Sequence, residues 1–267
     1  MSTARALNVP IELEKFHLNL LNSAIETAII TPGKSNLKPS MSSSKFAGAP
    51  YLPVGAVHPK DVHGRYMLLL AQINLSDVNI SEPFPSEGML QFFISERCYE
   101  YSKLNTSEKH FCVRYYPSIL TPSQLTEDFS YLATCDYATF PIEKEQIIQF
   151  HSVIEPVSAM DYRLAHFFNP SLFKQIITHD ERSFKDVYLA TYLSADHKIG
   201  GYPYFIEKDI REVSRELQQY DILLFQIISN DEHGIMWGDS GVMSFFINSE
   251  KLKQLNFSDI YFHTEDY

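Results

Sequence analysis

Residues 45–52 read KFAGAPYL, and residues 198–205 read KIGGYPYF. Lysine, glycine, proline and tyrosine coincide in register, at an offset of 153 residues (45 to 198). Two more blocks follow in the same order. LAQI at 70–73 returns as LFQI at 224–227, an offset of 154, and GMLQFFI at 88–94 returns as GVMSFFI at 241–247, an offset of 153. Strand composition alone supplies a shared FFI, but three blocks in one order at nearly one displacement report a repeated structural unit. Two related units are therefore predicted, about residues 44–96 and 197–249. Each comprises a Gly-Pro-Tyr loop, a strand ending in glutamine and a turn into an aromatic strand. Gly48 and Gly201 permit positive φ or close backbone approach, and the prolines after them fix φ. Packing about a pseudo-two-fold axis would make Lys45 and Lys198 equivalent, with a shared cleft at the axis.

The remaining chain supports a strand-rich α+β protein. Its 267 residues are 45% apolar and 13% aromatic, enough for a large core and suited to half-buried sheet surfaces. Apolar residues Leu13, Phe16, Leu20, Leu21, Ala24 and Ala28 share a helical face, which predicts an N-terminal helix over about 9–30. A polar loop or edge strand over 34–44 follows. Strands are expected at 66–75, 88–95, 111–116, 147–154, 221–228, 241–247 and 259–263. Helical segments are expected after Pro170, around Leu172, Phe173, Ile176 and Ile177, and between 207 and 220. There Ile210, Val213 and Leu217 face inward, while Glu207, Asp209, Glu212 and Glu216 form a solvated face. The resulting expectation is a single α+β domain over 1–267, with internally duplicated, mainly antiparallel sheets and a few covering helices.

Composition also excludes function classes. A formal charge of -11 without a basic run argues against nucleic acid and anionic membrane partners. No signal peptide or membrane-length apolar run occurs, so a soluble cytoplasmic protein is expected. Cys98, Cys112 and Cys135 fit neither a disulfide framework nor a zinc pattern and read as buried small apolar residues. His58 and His63, five apart in a loop, read as surface histidines rather than metal ligands. No nucleotide-binding or metalloprotease motif is present, and neither metal nor cofactor is expected.

The GDSG at 238–241 matches the surroundings of a serine protease nucleophile in composition only. Gly-Pro does not follow it, and no Ala-Ala-His-Cys segment lies upstream. Ser240-Gly241 aligns with Glu87-Gly88 in the other unit, so the segment is read as a turn entering a strand. Trp237 and Asp239 have no counterpart at Pro85 and Ser86, allowing for a slip in register, which leaves two readings: a ring and carboxylate that contact a ligand, or a core tryptophan whose indole N–H is satisfied nearby. Lys45 and Lys198 either meet an anionic ligand or pair with a carboxylate such as Asp239 or Glu87. Gln72 and Gln226 are expected to satisfy backbone groups. Candidate ligand contacts are Lys45, Tyr51, His197, Lys198, Tyr204, Trp237, Asp239 and Ser240, with an unknown small molecule or protein as partner.

The motifs at 44–53, 70–73, 197–205 and 235–241 together resemble the YwqG-like family, over almost the whole chain. The resemblance implies a soluble bacterial α+β protein with a duplicated core and no established activity. The occurrence of such proteins near secreted-toxin and immunity loci makes an interaction role part of what it implies. One departure is visible: the expected Gly-Gly of the first loop is Ala47-Gly48, whereas Gly200-Gly201 keeps it, which would make the first half the weaker binder. A non-catalytic binding or interaction protein is the first expectation. An uncharacterised hydrolase or transferase using Lys198, Trp237, Asp239 and Ser240 is the alternative.

Overall fold

The computed structural model describes residues 7–33, 38–102 and 110–267. Ten antiparallel strands form one sheet: β1 (Ile25–Pro32), β2 (Lys45–Phe46), β3 (Leu68–Asn74), β4 (Met89–Ile94), β5 (Phe111–Tyr116), β6 (Gln146–Glu155), β7 (Lys198–Gly200), β8 (Ile222–Ile228), β9 (Val242–Ile247) and β10 (Ile260–Glu265). Their spatial order is β10-β9-β8-β7-β1-β6-β2-β3-β4-β5. The long strands β1 and β6 pair at the centre, from Ile25 opposite Glu155 to Pro32 opposite Ile148. On either side of them comes one very short strand, then three longer ones. The sheet curls until its edges meet through side chains, with Phe111 of β5 standing 5.0 Å from Phe262 of β10 in a nearly closed barrel. The several sheets expected from the sequence are thus one continuous sheet.

The two flanks match in detail. Lys45 lies opposite Gln72 across β2 and β3, and Lys198 lies opposite Gln226 across β7 and β8. The register of β3 on β4 slips between Leu69 and Ala71, and that of β8 on β9 between Leu223 and Phe225. These bulges sit at corresponding points, where an extra residue bends a strand and tightens its twist. Inside the barrel, aromatic residues from both flanks meet in one core, with Phe92 4.6 Å from Phe225 and 5.0 Å from Phe245. Side chains of that size fill the interior, so the barrel is a packed core rather than a lumen.

The connections after β3 and β8 cross to the opposite flank. Asn79 accepts from Ser152, and the Ser81 amide donates to Glu26 at 2.8 Å. On the other side the Glu143 amide donates to Gly234 at 3.0 Å and the Met236 amide to Pro141 at 2.7 Å. Each flank therefore fastens the other.

Several elements differ from expectation. The N-terminal helix is a 3-10 turn (Ile11–Phe16) and an α-helix (His17–Ser23), and Ala24 is already extended at φ -73, ψ 132. Residues 25–32 instead form β1, because a run rich in Ile and Thr gains a ladder on each side and tertiary pairing outweighs a periodicity that Ala28 only happened to satisfy. The region after Pro170 holds only a 3-10 turn (Pro170–Leu172), with the α-helix displaced to Phe184–Thr191 behind a Ser183–Asp186 capping box. Between 207 and 220 there are two 3-10 turns, Ile210–Glu212 and Leu217–Gln219, and Val213 is exposed. Asp209, expected in solvent, is buried against Arg211. Residues 34–37 of the expected polar segment lie outside the described residues.

Ala47 shows how far the flanks correspond. It adopts φ +57, close to the +69 of Gly200, although a β-carbon makes that conformation unfavourable. Replacing Ala47 by Gly is expected to raise unfolding stability by about 0.5 kcal/mol, the relief of strain exceeding the added freedom of the unfolded chain. Urea denaturation checks this, and a clear loss of stability would contradict it.

Candidate functional site

Alternation along the strands decides which candidate residues can meet. On β7 and β8, Ile199, Phe225 and Ile227 point into the barrel core. Lys198 and Gln226 therefore occupy the outer face, beneath the loop that follows β7. Lys198 is fully buried there, and its Nζ donates to both oxygens of Glu155, at 2.9 and 3.2 Å. Lys45 is likewise buried and donates to Glu145 at 2.7 Å. Burial pulls the Lys45 ammonium below its ordinary pKa, with Glu145 opposing that pull. The partners are thus Glu145 and Glu155, not Asp239 or Glu87.

The glutamines do the same work twice. Gln72 Oε1 accepts from the Tyr51 amide at 2.7 Å, while its Nε2 donates to the carbonyls of Met41 and Ser43 at 2.8 Å. Gln226 accepts from the Tyr204 amide at 2.8 Å and donates to Ser194 at 3.1 Å and Asp196 at 2.9 Å. Tyr51 is buried, with its hydroxyl between Ser118 and Leu120, and Tyr204 is half-buried. His197 stands where the first flank has Ser44. The Ile228 amide donates to its Nδ1 at 3.2 Å, just as the Asn74 amide donates to Ser44 Oγ at 2.9 Å. Burial, with the nearby charge of His233, pushes the His197 pKa down to about 4.

Trp237 lies on the opposite face. Its indole belongs to the barrel core and meets Tyr99 edge-on at 5.4 Å, as the core reading expects, but its buried Nε1 has no hydrogen-bond partner among the described residues, so the satisfied N–H of that reading is not found. Asp239 and Ser240 are exposed in the turn entering β9, where Ser240 takes φ +65 and the Gly241 amide donates to the Trp237 carbonyl at 2.8 Å. The sheet itself separates Trp237 from Lys198, and the four residues of the hydrolase alternative do not converge. Of the three cysteines only Cys98 is buried, its thiol pushed up to about 12 by burial. His58 is buried rather than superficial, bonded to the Met67 carbonyl at 2.8 Å and to Tyr131 at 3.1 Å. Among the described residues no His, Cys, Asp and Glu cluster suits a metal ion.

What the structure adds is a pair of notches. β7 leaves the sheet after Gly200, with Gly200 and Gly201 at φ +69 and +71, but its neighbours continue. The ends of β1 (Ile25, Glu26) and β8 (Ile222, Leu223) thereby flank a cavity of about 340 Å³. Phe84 and Ile80 close one side, Tyr202 and Arg163 another. β2 ends early in the same way, and Gly48, Leu68, Leu69 and Glu145 line a smaller cavity of about 200 Å³. Both notches have glycine at their edge for one reason. A β-carbon on Gly201 would lie 2.1 Å from Glu155 Oε1, and one on Gly48 would lie 2.2 Å from Glu145 Oε1.

A network of hydrogen bonds and ion pairs backs the wall of the larger notch. Glu155 accepts from Thr27 Oγ1 at 2.9 Å, the Tyr202 amide at 2.8 Å and Ser194 Oγ at 3.3 Å, besides Lys198. Behind Tyr202, a buried chain of charges runs from Arg163 through Asp161 and Arg211 to Asp209, with contacts of 2.7, 3.0 and 2.7 Å. Burial alone would raise the Asp161 pKa, but hydrogen bonds and charge from Arg163 and Arg211 outweigh it and hold the carboxyl below its ordinary value. Arg163 donates to Asp161 through Nε and Nη2 and lies 4.8 Å over the Tyr202 ring, which fixes that ring in place.

Residues 44–265 match a family described as a domain of unknown function, DUF1963. The chain belongs to this family. Among curated proteins none matches it. The DUF1963 span contains both glycine loops, both lysine–glutamate pairs and β2 to β10, whereas β1, which supplies Ile25 and Glu26 to the larger notch, lies before it. None of the described helices of this DUF1963 protein is long and apolar enough to cross a membrane.

Sequence reasoning missed Glu145, Glu155, Glu26, Arg163 and Asp161. Glu145 and Glu155 both belong to the β6 region, one at each end, so neither repeats at the offset that revealed their lysines. A buried lysine recurring in both glycine loops demands a carboxylate, and an acid at a strand end is the available signal.

Proposed function

We propose that this protein is a non-catalytic binding domain of the YwqG-like type, a single domain built from a duplicated unit, soluble and cytoplasmic in a bacterium, whose ligand occupies the notch beside Gly200 and Gly201. The observation that carries this reading is the recurrence of the notch. Corresponding residues (Ala47 and Gly200, Gly48 and Gly201, Leu68 and Ile222, Leu69 and Leu223) line both cavities. A packed protein interior leaves few voids by accident, and a repeated concavity with fixed polar groups is the form a small-molecule site takes. The symmetric strand order, the paired bulges and the twin glutamine clamps support the duplication. Absence of catalysis is favoured because the Lys198 ammonium is committed to Glu155 and Ser240 sits in an exposed turn beyond the sheet.

A thermal-shift screen of the purified chain against a metabolite library tests this reading, since a ligand of the native state raises its melting temperature. Ile25 is part-exposed at the mouth of the notch, so Ile25→Trp can occupy the space without entering the core. Hits are expected with the natural chain and are expected to vanish in Ile25→Trp. Hits that survive that substitution would place the binding site elsewhere.

A further inference from the structure

Granting that the larger notch is a binding site, we infer that its ligand is an organic cation: an ammonium or amidinium group carried on a flat or branched apolar body. The body is dictated by the walls. Ile25, Ile80, Phe84, Ile222 and Leu223 present hydrocarbon around a volume of about 340 Å³, room for one ring and a short side chain. The charge is dictated by what stands among them. Glu26, Glu82 and Asp221 all line the notch, and none of the three forms an ion pair with a described residue.

Arg163 is the one cation lining the notch among the described residues, and it is already spent. Its Nε and Nη2 serve Asp161 at 2.8 and 2.7 Å, and its Nη1 serves the Asp221 carbonyl at 3.3 Å. Lys253 is close enough to feel Glu82 and Asp221, but it does not line the notch and its Nζ is bonded to Glu250 at 2.7 Å. An anionic ligand would thus meet three acidic residues and no available donor fork, whereas a cation would meet acceptors, although Asp221 Oδ1 already takes the Ser249 amide at 2.8 Å. Glu26 is the best placed of these. Ser81 donates to its Oε2 through both amide and hydroxyl, which orients the carboxylate and leaves Oε1 without a hydrogen bond from the described residues. The chain's overall charge of -11 adds long-range attraction for a cation.

The test uses the full chain with labelled isoleucine methyl groups and three probes of one shape: phenethylammonium, 2-phenylethanol and 3-phenylpropionate. The ammonium is expected to move the methyl resonances of Ile25, Ile80 and Ile222 and to bind at least roughly tenfold tighter than the alcohol at low ionic strength, an advantage that salt reduces. Glu26→Gln keeps an acceptor for Ser81 and is expected to weaken the ammonium about tenfold. Glu232→Gln, which alters an exposed acid elsewhere, is expected to change nothing. If the propionate or the alcohol moves the same three methyls as strongly as the ammonium, the charge assignment is overturned while the notch remains a binding site. If the ammonium moves no methyl of the notch, the assignment is overturned as well, and the metabolite screen decides the binding reading separately.

Discussion

Glu155→Ala is expected to cost about 4 kcal/mol of unfolding free energy, and Glu145→Ala about 2 kcal/mol, although both remove the partner of a buried lysine. The difference follows from what each carboxylate holds. Glu155 is 14% exposed and accepts from Thr27, Ser194, Tyr202 and Lys198, so its removal strands a buried ammonium and a backbone amide together. Glu145 is 25% exposed, and Lys45 is its ion-pair partner at 2.7 Å. Urea denaturation of the two variants at neutral pH measures the difference. Replacing both members of the tighter pair, as Lys198→Met with Glu155→Leu, is expected to recover at least half of the loss, because an apolar pair leaves no charge unpaired. Equal costs for the two alanine variants, or a cost near zero for Glu155→Ala, would show that the clamp beside Gly201 does not hold the notch wall.

His197 makes the second large prediction, an acid sensitivity centred on one side chain. Its folded pKa is about 4 against an ordinary 6.5, lowered by burial first and by His233 second. Between those values the unfolded chain carries a proton that the native chain does not, so stability is fully present above pH 6.5 and falls as the solution is acidified towards pH 4. A shift of that size corresponds to about 3 kcal/mol in total, of which about 2 kcal/mol is lost by pH 5. His58 shifts in the same direction, chiefly through burial, and adds to the fall. In His197→Asn the amide oxygen can still accept from the Ile228 amide, as Nδ1 does at 3.2 Å, but cannot be protonated. The drop in unfolding free energy from pH 7 to pH 5, read from urea denaturation, is expected to shrink by about 2 kcal/mol in that variant. An unchanged drop would remove His197 from the explanation of acid sensitivity.

How much of this could be read beforehand depends on how local the cause was. The strands at 89–94, 111–116, 222–228 and 242–247 declare themselves by aromatic and branched residues within a few positions. The lysine, glycine and glutamine positions are visible because the same residues recur at a nearly constant offset in the sequence. β1 was misjudged because its residues fit a helical face almost as well as a strand, and only pairing with β6, more than a hundred residues away, settles the choice. Arg211 was hidden for a similar reason. A charged residue in an acidic stretch reads as solvated until Asp161, fifty residues earlier, is seen to bury it. The notch was least legible of all, since it is made by the place where β7 stops, and a strand that ends early leaves its mark on the neighbours rather than on itself.

The location of bound ligand in the native chain bears most directly on the whole reading. Methyl resonances of Ile25, Ile80, Ile222 and Leu223, followed as each hit from the metabolite screen is added, are predicted to shift first and most, with those of Leu68 and Leu69 in the smaller notch responding only at higher concentration. Hits that instead shift methyls remote from both glycine loops would contradict the claim that this repeated gap in the sheet is where the protein binds.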